Sequence, residues 1–232
     1  MKNRTLSGGL RASTVGLCLA LVGCSSQPPV PDWQINAYDS AQKAVEAYLS
    51  GNSRVEKLEF ARARAEIART AQPALLARLE LLRCAAQVAS LEMLACAPFE
   101  ALRQDAAAPE LAYARYLAGQ LQAGDVALLP AAQQGVAAAL LAGDAQRAGA
   151  AQAKVSDPLP RLVAAGVLLR AGQASPPVVA AALEDASHQG WRRPLLAWLG
   201  LQTARAKAAG DTTEAARLRR RMALVEQSGA LP

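Results

Sequence analysis

Apolar residues recur every three or four positions along most of the chain, which is the spacing of one buried face on an α-helix. In the segment 36–49, for example, Ala37, Ala41, Ala44 and Tyr48 fall on a single face. The same pattern predicts helices over about 36–49, 53–70, 73–89, 131–142, 144–155, 158–169, 176–189 and 194–209, a last helix after 211, and shorter ones near Pro98 and Pro109. Aromatic residues make up only 4% of the chain, and alanine and leucine dominate it. We therefore expect an all-α protein.

The segment 53–70 carries two apolar rows, one of them through Val55 and Leu58. Two rows predict packing on two sides, as in a stacked array of helices. The carboxylates of Glu56, Glu59 and Glu66 alternate with arginines in this segment. We interpret them as a solvated face stabilised by pairs three or four residues apart, rather than as acid–base groups.

Glycines end several of the predicted helices, and a polar residue that can cap the next helix follows each of them. Gly143 and Gly210 are two such stops, each followed by an aspartate. Gly143, Gly172 and Gly210 are 29 and 38 residues apart, which averages near the period of tetratricopeptide repeats. Around Gly210, the small residues Thr203 and Ala206 stand where that repeat needs them, so this part of the chain resembles a degenerate tetratricopeptide-like hairpin. The resemblance implies antiparallel hairpins; an irregular helical bundle is the alternative.

The N-terminus combines a short basic segment, containing Lys2, Arg4 and Arg11, with an apolar run over 15–22. This arrangement is typical of a secretory signal peptide, and the apolar run is too short to span a bilayer. It ends in Leu-Val-Gly-Cys at 21–24, which resembles the lipobox of bacterial lipoproteins. The resemblance implies that 1–23 is removed and that Cys24 becomes the acylated first residue. The alternative is an ordinary secreted protein in which Cys24 is a plain thiol.

The resemblance to a lipoprotein also implies a cellular location and a division of the chain into a tether and a helical domain. Acyl chains on Cys24 would hold the protein on a membrane, and Ser25, in place of an aspartate, favours the periplasmic side of the outer membrane over the inner membrane. Residues 24–35, with three prolines, would form a tether, and 36–232 a helical domain. The segment 119–130 is the least regular, so a division of that domain, if there is one, is expected there.

The formal net charge and the reactive residues of the sequence limit the classes of function that can be expected. Loss of 1–23 lowers the formal charge from +6 to +3, which gives no reason to expect nucleic acid. The single histidine, His188, stands at a predicted helix C-terminus, where a cation is favoured. No phosphate loop, metal motif or nucleophile motif is present in the sequence, so we expect neither a cofactor nor a metal site.

Arginines and tryptophans supply the remaining candidates. The densest charge cluster, in the last predicted helix, consists of Arg217, Arg219, Arg220 and Arg221. It is interpreted either as a solubilising face or as a docking patch for an acidic partner or for anionic lipid head groups. Trp191 and Trp198 are expected in the core, whereas Trp33 is expected either on the body or at the membrane interface.

The sequence therefore predicts a non-catalytic, membrane-anchored lipoprotein that acts as an interaction scaffold or assembly factor in the cell envelope, with a protein partner of unknown identity. We place the partner surface from about Pro130 onward, with the arginine cluster at one end. The alternative is a peptidoglycan enzyme or an amphiphile carrier with an unfamiliar site. Convergent carboxylates or a deep apolar pocket would favour that alternative.

The sequence also predicts a disulfide between Cys84 and Cys96, the two cysteines that remain once Cys18 is removed and Cys24 is lipidated. In one continuous helix these two residues would be about 18 Å apart, so the helix must end between them. The bond should stabilise the fold by roughly 3 kcal/mol. Thiol titration of the unfolded, unreduced mature protein should find neither thiol reactive, and two reactive thiols would instead indicate buried free cysteines.

Overall fold

The computed structural model describes residues 29–228, and the chain from Pro31 onward forms one compact unit. Within the described range all regular elements are helices, and no strand is present, so the all-α prediction is confirmed. The α-helices are α1 (Asp32–Leu49), α2 (Ser53–Ala68), α3 (Pro73–Ala89), α4 (Ala97–Glu100), α5 (Ala108–Ala118), α6 (Ala131–Leu141), α7 (Ala145–Ala153), α8 (Pro158–Arg170), α9 (Pro176–His188), α10 (Arg192–Ala208) and α11 (Thr212–Gln227). Two 3₁₀ helices, Arg103–Asp105 and Ala123–Leu128, precede α5 and α6.

Consecutive helices pair as hairpins, most extensively α1 with α2, α6 with α7, and α10 with α11. The central helices α3 and α8 pack on each other and also contact several of these hairpin helices. The array of helical hairpins predicted from the sequence is thus observed. The segment between α5 and α6 contains the second 3₁₀ helix, which packs against both of these helices.

Two hairpin turns show how the sequence sets the helix ends. Gly143 and Gly210 have φ angles of +69° and +75°, a left-handed conformation that glycine adopts without the clash of a Cβ. The aspartates that follow each glycine then cap the next helix, as predicted. Asp144 Oδ1 accepts a hydrogen bond from the amide of Arg147 at 2.9 Å, and Asp211 Oδ1 accepts from the amide of Glu214 at 2.8 Å.

The first helix begins earlier than its apolar spacing predicts, at Asp32 instead of Asn36. Pro31 occupies the N-cap with φ −60°, and its missing N–H is one that no helical partner would satisfy. Asp32 in the first turn also interacts favourably with the helix dipole. The helical domain therefore takes in part of the segment that we predicted as tether.

The prediction for the faces of α2 is wrong in part. Val55 and Leu58, expected to be packed, are 37% and 51% exposed. Glu56 and Glu59, expected on a solvated face, are buried, together with Ala63 and Ile67 on the same side of the helix. Arginines beside these carboxylates explain the reversal, because a paired carboxylate is buried at far lower cost than an isolated one.

The contact between α3 and α8 lies at the centre of the core. A Cβ placed on Gly166 of α8 would lie 2.4 Å from the backbone oxygen of Val88 of α3, so only glycine permits this approach. Next along α3, the carbonyl of Ala89 accepts a hydrogen bond at 3.0 Å from Nε1 of Trp198, which is fully buried on α10. The C-terminal end of the α3 backbone therefore contacts helices from the second half of the chain.

Replacing Gly166 with alanine should destabilise the fold, because the new methyl group meets backbone and cannot be accommodated by a rotamer change. We expect a loss of about 2–3 kcal/mol in the free energy of unfolding, measured by urea denaturation. Gly200→Ala is the matched control, since a Cβ on Gly200 in α10 meets nothing within 4 Å. The control should leave stability unchanged or raise it by up to about 1 kcal/mol. If Gly166→Ala and Gly200→Ala changed the free energy of unfolding equally, the close contact between Gly166 and Val88 would be contradicted.

Candidate functional site

The predicted lipidation site, Cys24, lies outside the described residues, and the anchor stays a prediction. The first described helix begins close after it, at Asp32. Trp33 is partly buried there, while Ile35 and Tyr38 on α1 are 47% and 63% exposed. The start of α1 therefore presents apolar side chains on its outer side. None of the described helices has the length and apolar character needed to cross a membrane.

The two predicted cysteine partners are joined. Cys84 on α3 and Cys96, just before α4, form a disulfide with their Cα atoms 6.0 Å apart. The helix end that this pairing requires is present, since α3 ends at Ala89 and Leu91 then takes a left-handed φ of +60°. The bond holds the segment 91–96 against α3.

The arginine cluster lies on α11, the last helix of the described chain. Arg219 and Arg220 are exposed and have no acidic partner within residues 29–228, whereas Arg221 is partly buried. Arg217 donates through Nε and Nη2 to both carboxylate oxygens of Glu214, at 2.6 and 2.7 Å. These bonds lower the pKa of Glu214 below its ordinary value. Two of the four arginines are therefore free for a partner.

The packing of α11 leaves much of this helix open. Only Ala215 and Leu218 are buried on it, and its main neighbour is α10. Leu224 is 69% exposed on the same helix. The terminal hairpin thus offers a basic surface with one apolar side chain beside it.

The histidine and the C-terminal tryptophans occupy the predicted environments. His188 is the last residue of α9 and is exposed. Trp191 and Trp198 are buried, at 8% and 0% exposure. Trp191 Nε1 also donates a hydrogen bond to Glu46 at 3.0 Å, which links the start of α10 to α1.

Buried carboxylates are present, but each is held by an arginine. Glu80 of α3 pairs with Arg64 of α2, and Glu56 of α2 lies 3.1 Å from Arg83 of α3. Burial raises the pKa of Glu80, while the charges of Arg64 and Arg83 oppose that rise. These pairs cross-link α2 and α3. Each of these carboxylates therefore serves as the partner of an arginine at the α2–α3 contact.

A cleft of about 530 Å³ is the main feature that the sequence analysis missed. It lies between α3, α5 and the segment 91–96, and the Cys84–Cys96 disulfide forms part of its wall. Its charged lining consists of Glu100, Arg103, Arg115 and Arg170. Its volume falls in the range that small-molecule sites usually occupy.

Two of the three arginines in the cleft are neutralised by neighbours. Arg103 donates to both carboxylate oxygens of Glu100, at 2.6 and 2.7 Å. Arg115 makes a two-point contact with Asp125, in which Nε lies 2.8 Å from Oδ2. The hydrogen bonds from the arginines lower the pKa of both carboxyl groups. Both pairs are thus satisfied as ion pairs.

Arg170 differs from them because it has no acidic partner among the described residues. Its Nε lies 3.3 Å from the sulfur of Met93, and its Nη2 is buried without any hydrogen-bond acceptor. Burial lowers the pKa of its guanidinium. No sequence pattern could have identified this site, since Arg170 and Met93 are 77 residues apart.

Within residues 29–228, no group of three or more metal-ligating side chains is close enough to hold an ion. Comparisons with protein-family models, curated proteins and solved structures found no match.

Proposed function

We propose that this chain is a non-catalytic lipoprotein, anchored through acyl chains on Cys24, that serves as an interaction scaffold in the cell envelope. The observation that carries the proposal is the lipobox-like Leu-Val-Gly-Cys at 21–24, followed so closely by the helical unit. Seven residues lie between Cys24 and Asp32, and the eight Cα–Cα steps of a fully extended chain span at most about 29 Å. An anchor at Cys24 would hold the helical unit against a membrane surface.

The outer membrane, facing the periplasm, is the location we propose. Ser25 follows the proposed lipidated cysteine in place of the aspartate that favours retention in the inner membrane. An oxidising periplasm also suits the disulfide between Cys84 and Cys96.

Processing tests the anchor. Globomycin, which blocks the lipoprotein signal peptidase, should cause accumulation of a form larger by the signal peptide, and Cys24→Ser should abolish incorporation of a labelled fatty acid. Cys18→Ser is the matched control, because this cysteine lies inside the apolar run and should not affect acylation. Normal acylation or processing of the Cys24 variant would contradict the lipoprotein assignment.

The terminal hairpin supports the scaffold role. Arg219 and Arg220 project from a helix that is only partly covered, and Arg205 and Lys207 add exposed positive charge in the last turn of α10. Exposed Leu224 supplies an apolar contact point on the same hairpin. Such a surface suits an acidic segment of a protein partner, because complementary charge speeds encounter and selects the partner.

Charge reversal tests this surface. Replacing Arg217, Arg219 and Arg220 together with glutamate should remove a partner captured by crosslinking in intact cells. The melting temperature should fall by no more than about 2 °C, since exposed charges contribute little to stability.

Lys43→Glu, Arg54→Glu and Lys57→Glu together provide a matched control, because these exposed residues on the α1–α2 hairpin change the net charge by the same amount. The control should retain the partner. An unchanged partner list after reversal on α11, or equal loss with the control, would show that the surface is chosen wrongly.

A further inference from the structure

Arg170 is a partly buried positive charge whose neighbours do not compensate it. The atoms that the protein places beside its guanidinium are a thioether sulfur, which is a weak acceptor, and no carboxylate. Its Nη2 is buried without an acceptor within the described part of the chain. A partly buried guanidinium without an acidic partner is less favourable than a paired one, and an anion bound in the adjoining cleft would supply the missing partner.

The surroundings of Arg170 define what kind of anion would fit. Leu81 and Val88 of α3 and Leu117 of α5 line the same cleft. Leu94 also lines it and is 73% exposed, so it stands at the rim with its apolar surface open to solvent. The cleft therefore places an unpaired cation beside apolar side chains, of which Leu94 is the most exposed.

We propose that this cleft binds the carboxylate of a ligand that carries a short apolar chain, with Arg170 as the anion-binding residue. Arginine suits this role because its guanidinium keeps its charge and donates charge-assisted hydrogen bonds to a carboxylate. The site is additional to the scaffold role and does not rest on the lipid anchor.

Charge balance in the cleft selects an ion with a single negative charge. Arg103 and Arg115 are already neutralised by Glu100 and Asp125, so Arg170 is the one uncompensated charge of the described lining. One uncompensated cation is neutralised by one negative charge, so a dianion such as a phosphate monoester would leave a second charge unbalanced in the cleft. A monocarboxylate balances the charge of Arg170.

The disulfide supports this site by fixing one of its walls. Met93, which contacts Arg170, and Leu94 both belong to the segment that the Cys84–Cys96 bond holds against α3. Cleavage of the bond would release this segment from its covalent link to the helix. Reduction is therefore expected to weaken binding of the carboxylate.

Titration calorimetry with octanoate tests the proposal on the mature protein, held in phospholipid nanodiscs if it carries lipid, with empty nanodiscs as the blank. Octanoate should bind to one saturable site. Acetate, octanol and octylamine should bind at least about tenfold more weakly, since each lacks either the chain or the negative charge. Arg170→Met should weaken octanoate binding at least about tenfold.

Two further variants keep the test decisive. Arg54→Met removes an exposed arginine of α2 outside the cleft and should leave the affinity within about twofold. Leu94→Asp adds a negative charge at the exposed rim, where it spares the core, and should weaken octanoate binding even if the Arg170 variant folds poorly. Absence of saturable octanoate binding, or unchanged affinity in both cleft variants, would overturn the proposal.

A second probe distinguishes whether the bound carboxylate belongs to a fatty acid or to a peptide C-terminus. The tripeptide acetyl-Ala-Leu-Leu carries a free C-terminal carboxylate, and its amidated form does not. Tighter binding of the free-acid peptide than of octanoate would identify a peptide C-terminus as the source, and the reverse order would identify a fatty acid. If the amidated peptide binds as well as the free acid, the carboxylate is not the recognised group and the proposal fails.

Discussion

The close approach of α3 and α8 is the constraint on which the rest of the fold depends. Gly166 brings the backbone of α8 against the Val88 carbonyl, an approach that any larger residue would prevent. Helix α3 also packs on α1, α2 and α5, while α8 packs on α6, α7 and α9. The α3–α8 contact is therefore the most extensive of the contacts that join the N-terminal hairpins to the C-terminal hairpins. The abundant alanines at such contacts allow short distances between helix axes.

Polar contacts from the second half of the chain reinforce this junction. Arg193 of α10 donates to the backbone oxygen of Tyr48 at 2.8 Å, and its guanidinium lies 4.3 Å from the centre of the Tyr48 ring. Together with the bond from Trp198 to Ala89, this contact ties α10 to α1 and α3. The basic terminal hairpin is consequently held by α10 at a fixed position in the compact unit, as a binding surface requires.

Local signals in the sequence predict much of the fold, and the exceptions have physical causes. The bounds of α3 and the glycine–aspartate turns follow from short-range rules for proline, glycine and capping, and the Cys84–Cys96 pairing from counting cysteines. The buried face of α2 does not, because Glu56 becomes buried only when Arg83 arrives from another helix. The cleft was missed for the same reason, since Arg170 acquires its surroundings entirely from elements distant in sequence.

We infer that the α3–α8 contact makes the N-terminal and C-terminal hairpins one cooperative unit. Native-state hydrogen exchange measures this directly, because it gives a free energy of opening for each slowly exchanging amide. If the two halves form one unit, the most protected amides of α3 and α8 should exchange with the same free energy, equal to that of global unfolding. If the amides of α1 to α3 opened at a distinctly lower free energy than those of α8 to α10, the two halves would be separate units and the claim would be contradicted.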